Sequence, residues 1–175
     1  LTYFHSVADR VKIPVMIYNW PQTTGIDISV EAACLLSEHP NIIAIKESSG
    51  NLEKILRLVN ETRKGFQVLT GSAPMLAPSL AAGCTGAVLA FSNAAPYACI
   101  TIWEAFRTRE QEAADDWQRR IMKAARLVTV KYGVPGLKHA MDFNGFYGGP
   151  PRLPLAPVGP DARREIEEAF DGLRG

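Results

Sequence analysis

The stretch NIIAIKESSG, residues 41 to 50, sets a lysine at the end of an apolar run. A lysine in a buried strand destabilises the fold unless it is paired or neutral, because desolvation disfavours its charged form. A lysine in such a place is therefore often one that takes part in a reaction. Side chains alternate along a strand, so Lys46 shares one face with Ala44 and Ser48 while Glu47 points to the other. Lys46 is therefore the candidate amine nucleophile.

Three further apolar runs resemble the lysine run, and each ends in small or polar residues. They are IPVMIYNWP at 13–21, FQVLTGS at 66–72 and GAVLAFSN at 86–93. Tyr18 lies near the end of the first. The runs recur at intervals of about two to three dozen residues, as successive βα units do. Helix-like stretches separate them, and this alternation predicts a parallel α/β sheet.

Capping residues place the helices between these strands. Ser29 is predicted to cap a helix through Leu36, and Asn51 is predicted to cap the next one. A third helix is expected over 74–82, with proline in its first turn. After the fourth strand the chain is predicted to be mostly helical, with a break at 133–136. The predicted helices there cover 97–106, 110–132, 137–143 and 161–173.

Composition gives no indication of a nucleic-acid or membrane partner. The chain has 175 residues, 47% of them hydrophobic, with a net charge of +1 and charged residues spread along its length. No apolar run approaches the roughly 18 residues of a membrane span, and no leader pattern opens the chain. Three cysteines in apolar stretches favour reduced thiols and hence the cytoplasm. They are Cys34, Cys84 and Cys99.

Metal and phosphate sites are also disfavoured. The three histidines have no metal-ligand spacing among themselves or with the cysteines. Gly71-Ser72 and the glycines at 83 and 86 could form a phosphate cradle of the kind that barrels build after their last strands, but no nucleotide fingerprint accompanies them. We therefore expect neither a metal nor a separate cofactor.

Three segments together resemble the dihydrodipicolinate synthase/N-acetylneuraminate lyase family of class I Schiff-base lyases. They are YNWPQTTG at 18–25, IKESSG at 45–50 and LPL at 153–155. The family resemblance implies a (β/α)8 TIM barrel followed by C-terminal helices. It implies that the four strands are strands five to eight, so that the chain is the C-terminal half of the barrel. Residues 1–94 would be the partial barrel, and residues 95–175 its last helix and the C-terminal helical region.

The resemblance also implies a chemistry. The Lys46 amine would form an imine with a 2-oxo acid, a small-molecule substrate, and this covalent imine would take the place of a cofactor. Tyr18 would transfer protons at the carbinolamine and at the aldol oxygen. Ser48, Gly71 and Ser72 would contact the substrate. The family further implies a homo-oligomer, a tetramer at full length.

Single positions favour one branch of the family. By this resemblance, Thr23 occupies the position at which the synthase branch has an arginine that binds a dicarboxylic product. The rim at 71–73 carries no acidic residue that could hold the hydroxyls of a sugar. Segments 132–138 and 145–150 most resemble the 4-hydroxy-2-oxoglutarate aldolase branch, whose products are pyruvate and glyoxylate. The alternatives are 4-hydroxy-tetrahydrodipicolinate synthase, a 2-keto-3-deoxy sugar acid dehydratase, and an inactive half-barrel that lacks the substrate-carboxylate motif.

Overall fold

The computed structural model describes residues 1–173, and these fall into two compact units. The first unit is Leu1–Val88, and the second begins at Leu89. The boundary that the family resemblance implies, between residues 94 and 95, separates the partial barrel from its last helix and the C-terminal helical region, and it stays a prediction.

The first unit alternates helices with parallel strands. Its elements are α1 (Thr2–Arg10), β1 (Val15–Asn19), α2 (Pro21–Thr24), α3 (Val30–Ser37), β2 (Ile42–Glu47), α4 (Leu52–Glu61), β3 (Gln67–Thr70), a 3-10 turn (Ala73–Met75), α5 (Leu76–Ala81) and β4 (Gly86–Ala87). The strands form one sheet in the order β1-β2-β3-β4, and every neighbouring pair is parallel. The parallel α/β sheet predicted from the sequence is therefore present.

The two faces of this sheet differ in burial. One face carries Ile17, Ile45 and Val68, which are all buried, and α3 and α4 pack against β2 and β3. The other face carries Tyr18 and Lys46, which are less buried. Alternation along β1 and β2 thus separates an apolar core face from the face that bears the candidate nucleophile.

Both predicted caps of the first unit are confirmed. The Ser29 side chain accepts a hydrogen bond from the backbone nitrogen of Ala32 at the start of α3, and the Asn51 side chain accepts one from the backbone nitrogen of Lys54 at the start of α4. These bonds satisfy N–H groups that a helix start otherwise leaves without a partner. They fix where the chain leaves the sheet and turns back over its core face.

The fourth strand is shorter than predicted. Only Gly86–Ala87 pairs with β3, and Phe91–Asn93 forms a 3-10 turn where the sequence suggested strand. β4 has a hydrogen-bonded neighbour on one side only. A strand at the edge of a sheet gains half the ladder contacts of a central one, so the apolar run at 86–93 is not held extended throughout.

The second unit is helical, as expected. It contains α6 (Pro96–Arg107), α7 (Gln111–Arg126), a π-helical turn (Leu127–Lys131), α8 (Gly133–Phe143) and α9 (Pro160–Phe170). The predicted break at 133–136 is wrong, because α8 begins at Gly133 and includes Pro135. A proline is tolerated in the first turn of a helix, where its missing N–H has no intrahelical acceptor. The interruption instead lies at Tyr132, between the π-helical turn and α8, and Gly133, the first residue of α8, has a φ of +55°.

Candidate active site

Tyr18 and Lys46 face each other across two neighbouring strands. They are register partners in the parallel pair β1 and β2, and the Lys46 Nζ atom lies 3.9 Å from the centroid of the Tyr18 ring. An ammonium group over a tyrosine ring is attracted by the ring quadrupole. Lys46 is half-buried, while Tyr18 is 48% exposed, so the pair is packed together yet open to a small molecule on one side.

The ring of Tyr18 is itself held by an aromatic neighbour. Trp20 stacks on it with ring centroids 5.9 Å apart and an angle of 13° between the planes. Trp20 precedes α2, whose Gln22 side chain donates a hydrogen bond to the backbone oxygen of Ser49 at 2.8 Å. The chain segments that follow β1 and β2 are therefore tied together beside the lysine.

Gly71 and Ser48 lie against the same lysine. The backbone nitrogen of Gly71 donates to the backbone oxygen of Glu47 at 2.7 Å. A Cβ atom at position 71 would stand 1.8 Å from Ser48 Oγ and 2.8 Å from Lys46 Cε. The absence of a side chain at residue 71 is what leaves room for the lysine stem and the serine hydroxyl.

The Ser48 hydroxyl has no hydrogen-bond partner among the described residues, although its oxygen is buried. A buried hydroxyl without a partner is unfavourable, and its cost is removed when a ligand supplies one. Ser72, the remaining residue of the predicted site, follows Gly71 and is half-buried. Its backbone nitrogen donates to the Thr70 hydroxyl at 3.3 Å. The structure thus brings Lys46, Tyr18, Ser48 and Gly71 together, with Ser72 next in the chain.

A polar network that is buried except at Asp27 lies behind these residues, and no sequence motif indicated it. The Asn19 amide nitrogen donates to Glu47 Oε2 and to Asp27 Oδ1, both at 2.8 Å. Lys54 Nζ contacts Asp27 Oδ1 and lies 3.4 Å from Glu47 Oε2. The hydrogen bond from Lys54 lowers the pKa of the Asp27 carboxyl. The only hint of this network in the sequence is that a polar residue directly follows each candidate catalytic residue: Asn19 follows Tyr18, and Glu47 follows Lys46.

The histidines and cysteines lie in ordinary surroundings in the structure. Within residues 1–173, no three or more histidine, cysteine or acidic side chains are grouped so that they could hold a metal ion. All three cysteines are free thiols. His39 is paired with Asp9, their side chains 2.9 Å apart. In the described part of the chain, no helix combines the length and the apolar character needed to cross a membrane.

Comparison with known protein families identifies the family of this chain. The model of the Dihydrodipicolinate synthetase family matches residues 1–172. The chain belongs to this family. The resemblance drawn from the tyrosine and lysine strands is thereby confirmed.

Relatives with two different names are similar to the chain. A 4-hydroxy-tetrahydrodipicolinate synthase from Exiguobacterium is 32% identical over 171 residues, covering 98% of this chain and 58% of the relative. A protein named "Probable 4-hydroxy-2-oxoglutarate aldolase, mitochondrial" from Emericella nidulans is 34% identical over 171 residues, covering 97% of this chain and 55% of the relative. Two of the three enzymes that the sequence suggested, the synthase and the aldolase, are therefore named among its relatives.

Solved structures of the family share the fold of this chain. The structure of DHDPS from Cyanidioschyzon merolae superposes with a TM-score of 0.90 at 30% identity, covering 98% of this chain and 59% of that one. Dihydrodipicolinate synthase from Bacillus anthracis gives a TM-score of 0.91 at 26% identity, with 97% and 58% covered. The chain thus spans somewhat more than half the length of the relatives it matches.

The predicted placement within the barrel is corrected. The family resemblance implies the C-terminal half of a TIM barrel, with the four strands as strands five to eight. The match takes in 58% of the Exiguobacterium relative, and the structure contains an open four-stranded parallel sheet whose last strand has two residues. The strand numbers and the C-terminal placement are therefore not retained. The chain is a four-stranded parallel part of the family fold with a helical unit following it.

Proposed function

We propose that this chain carries the reacting lysine of a class I lyase that acts on a short 2-oxo acid. One observation above all supports this: Lys46 Nζ lies 3.9 Å from the centre of the Tyr18 ring on the less buried face of the sheet, beside Gly71 and the unpartnered hydroxyl of Ser48. Imine chemistry requires an amine nucleophile and a group that transfers protons, and a lysine amine and a tyrosine phenol lie side by side here.

The reaction begins at the Lys46 amine. In its unprotonated form it attacks the ketone carbon of the 2-oxo acid and gives a carbinolamine, which loses water to become a protonated imine. The imine withdraws electrons, so the bond between the substrate's third and fourth carbons breaks as the 4-hydroxyl loses its proton, and an aldehyde and an enamine form. Protonation of the enamine and hydrolysis return pyruvate and the free amine.

Tyr18 is proposed to move the protons of these steps. A phenol can donate a proton to the departing carbinolamine oxygen and accept one from the aldol hydroxyl, provided that its oxygen comes within hydrogen-bond reach of each. Its register position opposite Lys46 keeps the phenol on the same face as the reacting carbon. Ser48, whose hydroxyl is buried beside the lysine stem, is proposed to hydrogen-bond the substrate.

Aldol cleavage of 4-hydroxy-2-oxoglutarate is the favoured reaction. Thr23, exposed in α2, stands in place of the arginine that the resemblance implies for the synthase branch, and the rim from Gly71 to Ala73 carries no acidic residue for a sugar acid. The similarity to the Emericella protein named for this aldolase is consistent with it. Synthesis of 4-hydroxy-tetrahydrodipicolinate is the second candidate, because several similar relatives are named 4-hydroxy-tetrahydrodipicolinate synthase. A homo-oligomer and a cytoplasmic location stay predictions.

Trapping the imine tests the nucleophile. The protein at its natural full length is treated with pyruvate and borohydride, digested and analysed by mass spectrometry. The reduced adduct is expected on Lys46 and on no other lysine. Lys46→Arg is expected to abolish both adduct and turnover while the fold persists, because a guanidinium is not deprotonated in proteins. Lys138→Arg is the matched control, and it should keep the adduct at Lys46.

Two results would contradict the assignment. One is an adduct at Lys54 or Lys138, and the other is an active enzyme that yields no adduct. Steady-state assays then separate the reactions. Cleavage of 4-hydroxy-2-oxoglutarate is expected to have a higher kcat/KM than condensation of pyruvate with aspartate semialdehyde, and the reverse order would establish the synthase. Preferential loss of water from a deoxy sugar acid would establish the dehydratase.

A further inference from the structure

Asn19 and Glu47 stand directly behind the candidate catalytic pair. Tyr18 and Lys46 are register partners on one face of the sheet, and the next residues of the same strands, Asn19 and Glu47, are register partners on the opposite face. The Asn19 amide nitrogen donates to Glu47 Oε2 at 2.8 Å, and both side chains are buried. One side-chain hydrogen bond therefore joins the two strands one residue beyond the reacting groups.

The Glu47 carboxylate is fully enclosed and fully engaged. Its Oε1 atom accepts from the backbone nitrogen of Ser49 at 2.6 Å, while Oε2 accepts from Asn19 and lies 3.4 Å from Lys54 Nζ. A buried carboxylate is strongly unfavourable without such partners. Displacing either strand by one residue would leave this charge without its partners, and so the network opposes displacement.

The orientation of the Asn19 amide is determined by its contacts. Its oxygen accepts from the backbone nitrogen of Ile28 at 3.0 Å, and its nitrogen donates to Glu47 and to Asp27. Turning the amide over would set a nitrogen against the Ile28 N–H and an oxygen against two carboxylates. Asn19 is therefore a donor of fixed direction toward Glu47.

The backbone pairing of β1 with β2 is irregular at its start. The pairing shifts between Val15 and Met16, so the two strands already tolerate an irregularity at the start of the pair. A slip of one residue exchanges the two faces of a strand. At the far end, the Asn19–Glu47 hydrogen bond closes the aligned segment that begins at Met16.

We propose that Asn19 and Glu47 are a positioning pair that keeps Tyr18 opposite Lys46. Neither touches the substrate side of the sheet, and both act through the residue that precedes them. This inference rests on the proposed function for its catalytic consequence. Its geometric content, the alignment of the tyrosine ring with the lysine amine, is independent of which reaction takes place.

Exchanging donor and acceptor tests the pair. Asn19→Asp places a second carboxylate against that of Glu47. Glu47→Gln leaves a single amide oxygen to accept from both Asn19 and the Ser49 backbone nitrogen. Each single variant therefore weakens the contact. All variants and their reference are made in the Asp27→Asn background, so that position 19 faces no second carboxylate. In the double variant, Gln at 47 then donates to Asp at 19 and accepts from Ser49, with the number of charges unchanged from that background. We expect kcat to fall about tenfold or more in each single variant and to recover to within about threefold in the double, with KM nearly constant.

A spectroscopic signature separates positioning from catalysis. The ε-protons of Lys46 lie close to the Tyr18 ring, whose ring current displaces their NMR signals upfield in protein labelled with ¹³Cε-lysine. Tyr18→Leu assigns the displaced signal by removing it. The single variants are expected to lose roughly half or more of the displacement, and the double variant to restore it, because the cation–ring contact depends on distance. A displacement unchanged in both single variants overturns the proposal.

Ile17→Val and Ile45→Val serve as matched controls. These residues are register partners on the same buried face, two positions before Asn19 and Glu47. Each truncation typically lowers stability by about 0.5–1.5 kcal/mol without touching the polar network. Equal losses of kcat and of ring-current displacement in these controls would refute a specific role. If the wild type has no lyase activity while the NMR pattern follows the exchange, the proposed function fails and the positioning pair stands.

Discussion

Gly71 lies so close to Ser48 that residue 71 has no room for a side chain. An added Cβ atom would stand 1.8 Å from the serine Oγ atom and 2.8 Å from Lys46 Cε. Gly71→Ala is therefore expected to displace both groups, lowering kcat/KM at least tenfold and stability by about 1–3 kcal/mol. Kinetic assays and thermal unfolding measure the two effects.

Gly86→Ala is the control for this substitution. Gly86 lies in the neighbouring strand, and an added Cβ atom would meet only Leu69 Cδ2 at 3.8 Å, an ordinary contact. Its activity is expected to remain close to wild type. Wild-type kinetics in Gly71→Ala would show that the close approach at Ser48 has no bearing on the reaction.

The ion pair of Asp27 with Lys54 makes a pH-dependent contribution to stability. The pKa of Asp27 lies below its ordinary value of 3.8, chiefly because Lys54 hydrogen-bonds its charged form. A carboxyl whose pKa is lowered on folding stabilises the fold above its unfolded pKa, and this contribution disappears as pH falls through the folded pKa. Asp27→Asn is thus expected to destabilise the protein at pH 7 by about 1 kcal/mol or less, since Asp27 is half exposed.

Urea unfolding of Asp27→Asn and wild type between pH 7 and pH 3 checks this expectation. The difference in unfolding free energy should shrink below about pH 4 as Asp27 becomes protonated in the wild type. Asp161→Asn, in an exposed ion pair at the start of α9, is the control. A difference that grows on acidification would contradict the assigned pairing.

The buried cysteines are expected to resist alkylation. Burial raises the pKa of the Cys84 thiol from 9.0 to about 11 and that of Cys99 to about 12. Only the thiolate reacts, so at pH 8 the reactive fraction of Cys84 is about a hundredfold below that of an ordinary thiol. Timed iodoacetamide labelling with peptide mapping should modify the half-buried Cys34 first.

Unfolding in urea provides the control for the labelling experiment, because all three thiols should then react at similar rates. The pattern would be contradicted by native-state labelling of Cys84 that is as fast as in urea. Such a result would mean that the region around β3 and β4 opens readily.

Residues 1–175, expressed as they stand, are expected to self-associate. Met16, Tyr18 and Trp20 are 45%, 48% and 42% exposed, and they follow one another at alternate positions of β1 and the residue after it. β1 also lies at the edge of the sheet. An apolar face beside an unpaired strand edge favours association with another copy.

Size-exclusion chromatography with light scattering measures this association. Met16→Glu places a charge on the exposed face and is expected to shift the population toward monomer. Lys12→Glu, outside the strand, should not. A wild-type chain that stays monomeric over a wide concentration range would show that this face does not drive association.

The sequence predicted the position of the catalytic candidates for a physical reason. Strand periodicity is local, so alternation alone assigns Lys46 and Ser48 to one face and Glu47 to the other, and parallel strands bring Tyr18 to the same edge. The caps at Ser29 and Asn51 were predictable for the same reason, because each bonds to a nitrogen three residues away.

The polar network was not predictable, because its contacts are distant in sequence. Asn19 and Glu47 are separated by 28 residues, and Asp27 and Lys54 by 27. Nothing in the composition near either position tells which partner it meets. The helix at Gly133 was missed for a different reason: glycine and proline there were interpreted as a break, whereas the first turn of a helix accepts both.

One face of the sheet carries the reacting groups and the other carries the pair that positions them, and this separation has an evolutionary consequence. The alignment of Tyr18 with Lys46 is secured by Asn19 and Glu47 from behind, while residues such as Thr23 and Ser72 lie beyond the strand ends and outside that network. Substitutions at the rim can therefore alter which molecule is accepted without disturbing how the amine and phenol are held. A single lysine strand can in this way serve a family whose members differ in substrate.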